Sequence, residues 1–236
     1  LRMSRGLGDV YKRQKPVTGW GEMLHTLAHG DAVCQTAHRA DCPFPQEMRY
    51  ELPGLVIDNC AMAGRSSKTF REEGRLDDIA AHIRPGDLLV VSFGHNDANR
   101  AKAERYVPAD AFGESLRPFW DAARSHGAVC IFASPVAMRE FDEAGVCHPS
   151  FAAYREAMRA FAAEVGAPFI DLGAATAAAN TAFGAERCKA RYMWVGAKQD
   201  NAHQQNAGAC RTAQAFVQQL LQDTTPALDV LRANFK

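Results

Sequence analysis

The 236-residue sequence has no charge excess, no long apolar run and no paired cysteine motif, and each absence removes a class of function. Lys+Arg and Asp+Glu both number 27. No basic tract is present that would track a phosphate backbone, which argues against nucleic acid as a partner. No stretch approaches the ~18–20 apolar residues of a membrane span. The seven cysteines, at 34, 42, 60, 130, 147, 188 and 210, form no CxxC pair, and an odd number cannot all be used in internal bridges. That leans towards a reducing compartment. Cys60 and Cys130 sit in apolar runs and read as small buried residues, and all seven cysteines are expected to be structural. No Gly-rich phosphate loop follows an apolar run, which argues against a flavodoxin-like binding module for phosphorylated ligands.

What is present is an alternation of apolar runs and helix-period segments. Leu88 to Phe93, Ala128 to Ser134 and Ala167 to Leu172 are nearly continuous apolar stretches, as expected of strands covered on both faces, and Leu55 to Asn59 is a shorter fourth. Between and around them, helices are predicted over 20–28, 76–83, 108–126, 149–165 and 207–221, with Pro at the start of the third and Gly just past its end. Such repeated βα units predict one α/β domain, a three-layer α/β/α sandwich around a mainly parallel sheet. Folds of this kind bind ligands at the carboxyl ends of their strands, so the residues after each run are where chemistry is sought.

Three such places carry polar groups. After Leu55 to Asn59 the chain reaches Gly64, whose backbone N–H can approach a ligand with no side chain in the way; a tight turn before an N-capping Ser66 or Ser67 accounts for it equally well. After Phe93 comes Gly94-His95-Asn96-Asp97, where an Asn amide can face a cleft and donate to a developing oxyanion, or simply build a turn. Asp200-Asn201-Ala202-His203 precedes the last helix, and a three-residue spacing on a helical turn or tight loop lets a carboxylate hold an imidazole from behind. A metal reading of His95, Asp97, Asp200 and His203 lacks HxH or HExxH spacing. Tyr192 and Trp194 lie just before Asp200, where they stack on a sugar or pack in the ordinary way.

Together these blocks resemble the SGNH (GDSL) hydrolases. Within that superfamily, Asn59 to Ser66 (NxAxxGRS), Gly74 to Ile79 (GRLDDI), Pro85 to Asp87 (PGD), Phe93 to Asp97 (FGHND) and Gly19-Trp20-Gly21 resemble the rhamnogalacturonan acetylesterase branch, over about residues 16 to 221. The resemblance implies a flavodoxin-like fold and removal of acetyl groups from pectin-type saccharides. It also implies that His203 is the general base, Asp200 its partner, and the Gly64 N–H and Asn96 side chain oxyanion donors, with no metal or cofactor. The other readings within this resemblance are a catalytically dead binding protein and an esterase or lipase acting on another acyl ester.

The family's first block, an apolar strand ending in Gly-Asp-Ser, has no match. The sole candidate is Gly8-Asp9-Val10, and Val10 has no nucleophilic atom. Leu1 to Leu7 carries Arg2, Ser4, Arg5 and Gly6 where a doubly covered strand should be apolar. Residues 1–15 look like translated sequencing-adapter read-through, so they are expected to be a non-native leader, with the domain over 16–236 and its first strand missing or replaced. Ser66, Ser67 and Ser92 lack the sharp strand-end presentation a nucleophile needs. The chain is therefore expected to be nearly inactive. A foreign leader also removes any record of a signal peptide, so localisation is not readable.

Overall fold

A computed structural model describes residues 1–5, 17–37 and 40–235. Seven strands join one sheet: β1 (Arg2–Arg5), β2 (Cys34–Ala37), β3 (Met48–Leu52), β4 (Leu55–Asn59), β5 (Leu88–Ser92), β6 (Val129–Ala133) and β7 (Phe169–Ile170), in the order β2-β3-β4-β1-β5-β6-β7. Strands β4, β1, β5, β6 and β7 are parallel, and β3 pairs antiparallel with both β2 and β4. Taken alone in chain order, the parallel strands run 2-1-3-4-5, the flavodoxin-like order. The four apolar runs of the sequence are β4 to β7. The hairpin β2–β3 carries mixed polar and apolar residues and gives no comparable signal.

Both faces of this sheet are covered. Helices α1 (Ser67–Glu72), α2 (Arg75–His82), α3 (Ala109–Ser125) and α4 (Ala152–Val165) take one side. The 3₁₀ helix Trp20–Leu27, α5 (Leu172–Phe183) and, after the short α6 (Ala185–Cys188), α7 (Asn206–Gln222) take the other, and α8 (Asp229–Arg232) follows. Period-two alternation splits each central strand between two cores. Leu88, Val90 and Ile131 pack with Trp20, Leu24 and Phe216, whereas Leu89, Val91, Cys130 and Phe132 pack with Phe70, Phe112 and Phe119. Cys60 and Cys130 are buried as expected, and burial pushes both thiols above the ordinary cysteine range. None of the seven cysteines forms a disulfide.

The central position of the sheet is filled by a polar tetrapeptide. β1 pairs in parallel with β4 on one side and β5 on the other, with Arg2 opposite both Asp58 and Leu89. Residues 2–5, placed by the sequence outside the domain, thus belong to its sheet. Ladder pairing uses main-chain groups, so an apolar sequence is not required for it; the cost falls on the buried charge. Arg2 is 7% exposed and lies 3.5 Å from Asp58, whose carboxylate also receives Arg49 Nε at 2.8 Å. Gly8-Asp9-Val10, where the nucleophile was sought, lies outside the described residues.

A second sheet, unforeseen from the sequence, links α6 to α7: the antiparallel hairpin of β8 (Tyr192–Val195) and β9 (Lys198–Gln204). Its seat is set by Gly208 in the first turns of α7. The Arg191 carbonyl just before β8 accepts from Gln205 N at 2.9 Å, capping the helix. A Cβ on Gly208 would stand 2.2 Å from that same oxygen. Helix propensity alone favours Ala over Gly by about 1 kcal/mol, but here the methyl would have to displace a main-chain carbonyl. Gly208→Ala is therefore expected to destabilise the fold by about 1–3 kcal/mol, the usual range for overpacking, read as a lower denaturant midpoint; an unchanged or higher midpoint contradicts the close approach.

Candidate active site

The loops that leave β4 and β5 meet at the carboxyl edge of the sheet, and one carboxylate fastens them. Asp97 Oδ2 accepts from Gly94 N at 2.9 Å, while Oδ1 accepts from Ser67 N at 2.8 Å and from Ser67 Oγ at 2.6 Å. Burial raises the Asp97 pKa, and these donors only partly offset it. Ser66 is the N-cap of α1, its hydroxyl accepting from Thr69 N. Of the Asn96-Asp97 pair, Asp97 therefore builds the turn and Asn96 is left to the cavity above it.

Asn96 is held by main-chain and side-chain partners. Its Nδ2 donates to the Arg65 carbonyl at 3.2 Å, and its Oδ1 accepts from Arg105 Nη1 at 2.9 Å. The same Nη1 donates to the Gly64 carbonyl at 3.1 Å. One guanidinium thus ties Asn96 to Gly64, whose φ of 74° lies in the left-handed region that favours glycine. Arg105 was not found from the sequence because it sits in an irregular stretch between Asn96 and α3, where no periodicity marks it.

Asp200 and His203 lie on β9, in neither of the settings the sequence offered, a helical turn or a tight loop. The hairpin register jumps: Tyr192 faces Gln204 while Met193 faces Asp200, so Asn201, Ala202 and His203 bulge out of the ladder. Asp200 Oδ1 accepts from the main-chain N–H of Ala202 at 2.8 Å and of His203 at 2.9 Å, closing the bulge into an Asx-type turn. Its Oδ2 is then 2.8 Å from His203 Nδ1. Burial works against the Asp200 charge, but the two N–H donors and the neighbouring imidazole prevail and hold its carboxyl below the ordinary range. The carboxylate side chain is 19% exposed and the imidazole 36%, so the imidazole is the more open of the two.

These groups border one cavity of about 550 Å³. Its lining combines polar residues, His95, Asn96, Asn99, Arg105 and His203, and Gly64 with the apolar Ala63, Ala98, Met138, Phe151 and Ala202. The structure therefore brings Gly64, Asn96 and His203 to one space, with Asp200 behind His203. Tyr192 and Trp194 are not among its lining residues. Tyr192 is 1% exposed, with its hydroxyl donating to the Ala137 carbonyl and accepting from Asn180. The Trp194 indole N–H donates to Asn201 Oδ1, and Arg139 and Lys189 each stand 4.7 Å from its ring centroid. Both aromatic residues pack the hairpin. Among the described residues, the three-residue group with ligand atoms within 4.8 Å of one another is Cys42, Glu47 and Asp78, away from this cavity, so His95, Asp97, Asp200 and His203 are not assembled as a metal set.

The profile of the GDSL-like Lipase/Acylhydrolase family matches residues 19–208. Rhamnogalacturonan acetylesterase RhgT of Bacillus subtilis (strain 168) is 35% identical over 234 residues, which is 95% of this chain and 90% of that one. Probable rhamnogalacturonan acetylesterase YesY of the same organism is 39% identical over 189 residues, 78% of this chain and 87% of that one. The crystal structure of B. subtilis YxiM superposes with a TM-score of 0.75 at 25% identity, over 96% of this chain and 57% of that one. By both sequence and fold, the chain belongs to the GDSL-like lipase/acylhydrolase family, in the branch that is similar to the rhamnogalacturonan acetylesterases.

Proposed function

We propose that this fold is that of a carbohydrate esterase which removes acetyl groups from pectin-type saccharides of the rhamnogalacturonan class by a Ser-His-Asp mechanism, and that the chain as it stands lacks the nucleophile. The observation that carries the reading is the 2.8 Å contact of His203 Nδ1 with Asp200 Oδ2, at the border of a cavity shared with Gly64 and Asn96. Similarity to two Bacillus subtilis acetylesterases over most of the chain supports the substrate class. The cavity supports it chemically, because its lining mixes polar groups with apolar side chains, and a sugar acetate presents both hydroxyls and C–H surface.

In this reading a serine Oγ attacks the acetyl carbon while His203 Nε2 takes the hydroxyl proton. Asp200, holding Nδ1–H, fixes the tautomer and balances the imidazolium that forms. The tetrahedral oxyanion is met by the serine and Gly64 N–H groups and by the Asn96 amide, which Arg105 holds in place. Collapse breaks the bond to the sugar oxygen, which leaves with the proton from His203; water then attacks the acetyl-enzyme and gives its proton to His203, and a second collapse breaks the acyl–serine bond, releasing acetate as the serine oxygen takes that proton back. With Val10 following Gly8-Asp9, the first step has no nucleophile, and losing a triad serine costs on the order of 10⁶ in rate in the worked protease case.

The test compares the chain with a version in which an apolar strand ending in Gly-Asp-Ser precedes Pro16, measuring acetate release from acetylated pectin and from an aryl acetate. The serine-bearing version is expected to be active and the parent nearly inactive. Parent activity that survives His203→Ala refutes the triad assignment, and metal-dependent activity points to a different site. In the active version, Asp200→Asn is expected to lower kcat on the order of 10⁴, as when a triad base loses its tautomer. The donors that hold the Asp200 carboxyl below the ordinary carboxylate range should also keep it ionised throughout that range: in an NMR or infrared titration, Asp200 should take up its proton only at more acidic pH than an ordinary carboxyl, and protonation within the ordinary range contradicts the hydrogen-bonded geometry. Arg105→Met should cost about 10-fold or more in kcat with little change in KM, because it loosens an oxyanion donor without touching substrate.

A further inference from the structure

We infer that Phe151 is the sugar platform of this cavity, a specificity-determining side chain held in place by backbone strain. The inference rests on the carbohydrate reading above and adds to it the group that recognises the saccharide ring. Two independent observations meet at this residue. Phe151 lines the same cavity as His203 and Asn96 and is the aromatic carbocycle in that lining. It is also the sole non-glycine residue with positive φ among the described residues, at φ 56° and ψ 47°. For an aromatic side chain that conformation is disfavoured, and such outliers persist where the surroundings over-determine them, typically at ligand sites.

The surroundings here do over-determine it. On its carboxyl side, the Phe151 carbonyl accepts from Tyr154 N and Arg155 N at 2.9 and 3.0 Å, starting α4. On its amino side, Ser150 Oγ accepts from Met138 N at 2.9 Å, clipping the chain to the loop after β6. Helix α4 is itself pinned to the Asn96 loop, since Tyr154 Oη donates to the carbonyls of Val107 at 2.7 Å and Asp97 at 3.3 Å. The ring is placed in turn by an edge contact with His95, centroids 4.8 Å apart. A glycine would satisfy this backbone without strain, yet it would leave the cavity's apolar lining with only Met138 and three alanines. A rigid aromatic face suits the C–H face of a pyranose, with hydroxyls left to polar lining groups such as Asn99.

Because the chain lacks a serine after Gly8-Asp9, ligand binding can be measured without turnover. The parent, Phe151→Tyr, Phe151→Leu, Phe151→Ala and Phe151→Gly are titrated calorimetrically with O-acetylated rhamnogalacturonan oligosaccharide, and their melting temperatures are recorded. Phe151→Tyr should bind within about 2-fold of the parent, whereas Phe151→Leu, which keeps apolar bulk without a ring face, should weaken Kd about 5-fold or more with melting little changed. Phe151→Gly and Phe151→Ala should lose binding equally, but the glycine variant should melt about 2–4 °C higher because only its partner carries a Cβ at positive φ. Leucine binding as well as the parent overturns the platform, and alanine melting at or above glycine overturns the strain argument. If the parent binds no oligosaccharide while remaining folded, the carbohydrate reading fails and the platform with it; parent binding that is indifferent to the ring sinks the platform alone.

Discussion

The carboxylate of Asp97 is the constraint on which the cavity depends. It takes three hydrogen bonds from the two loops that leave β4 and β5, and its residue's carbonyl is reached by Tyr154 from α4. Three chain segments far apart in sequence therefore converge on one residue. The arrangement carries a cost, since burial raises its pKa against the pull of its donors. That cost is what fixes Gly64, Asn96 and Phe151 relative to one another: a polar network that is fully used specifies geometry in a way apolar packing does not.

A second anchor stands opposite. The bulge that carries Asp200 and His203 is not part of the main sheet, so its position relative to Asn96 depends on how β8, β9 and α7 are seated. Gly208 lets the Arg191 carbonyl close on the first turn of α7, and Arg139 reaches Asn201 from the loop after β6, through its main-chain N–H at 2.8 Å and its guanidinium at 3.2 Å. The Asp200–His203 pair is thus seated at the cavity by these contacts, while Gly64 and Asn96 are held beside the Asp97 network. Arg105 couples Gly64 to Asn96, and Phe151 lines the same cavity.

The framework of the fold was legible because its signals are local. The runs LLVVS and VCIFA are covered on both faces, which forces near-continuous apolar sequence, and they became β5 and β6; the shorter LVIDN became β4, where Val56 is exposed. Helices α2, α3, α4 and α7 followed the predicted spans to within a few residues. Strands β2, β3, β8 and β9 were not legible, since half-exposed antiparallel ribbons carry little apolar periodicity; β9 reads KQDNAHQ. β1 is legible in neither sense, because its polar residues enter the sheet through main-chain pairing with neighbours on both sides.

The chain by itself determined which chemical groups exist: a glycine, an asparagine, and an aspartate and histidine three residues apart, each beyond the end of a predicted element, and no serine after Gly8-Asp9. Those are properties of composition and spacing, and they suffice to suggest an oxyanion site with a general base. Tertiary structure decided what holds them together. Arg105, Asp97, Gly208 and Phe151 act through contacts with residues up to tens of positions away, and the identity of such a residue says nothing of its partner until the chain has folded. Even the Asp200–His203 pair, three residues apart in sequence, owes its geometry to a bulge that exists only because β8 pairs with β9.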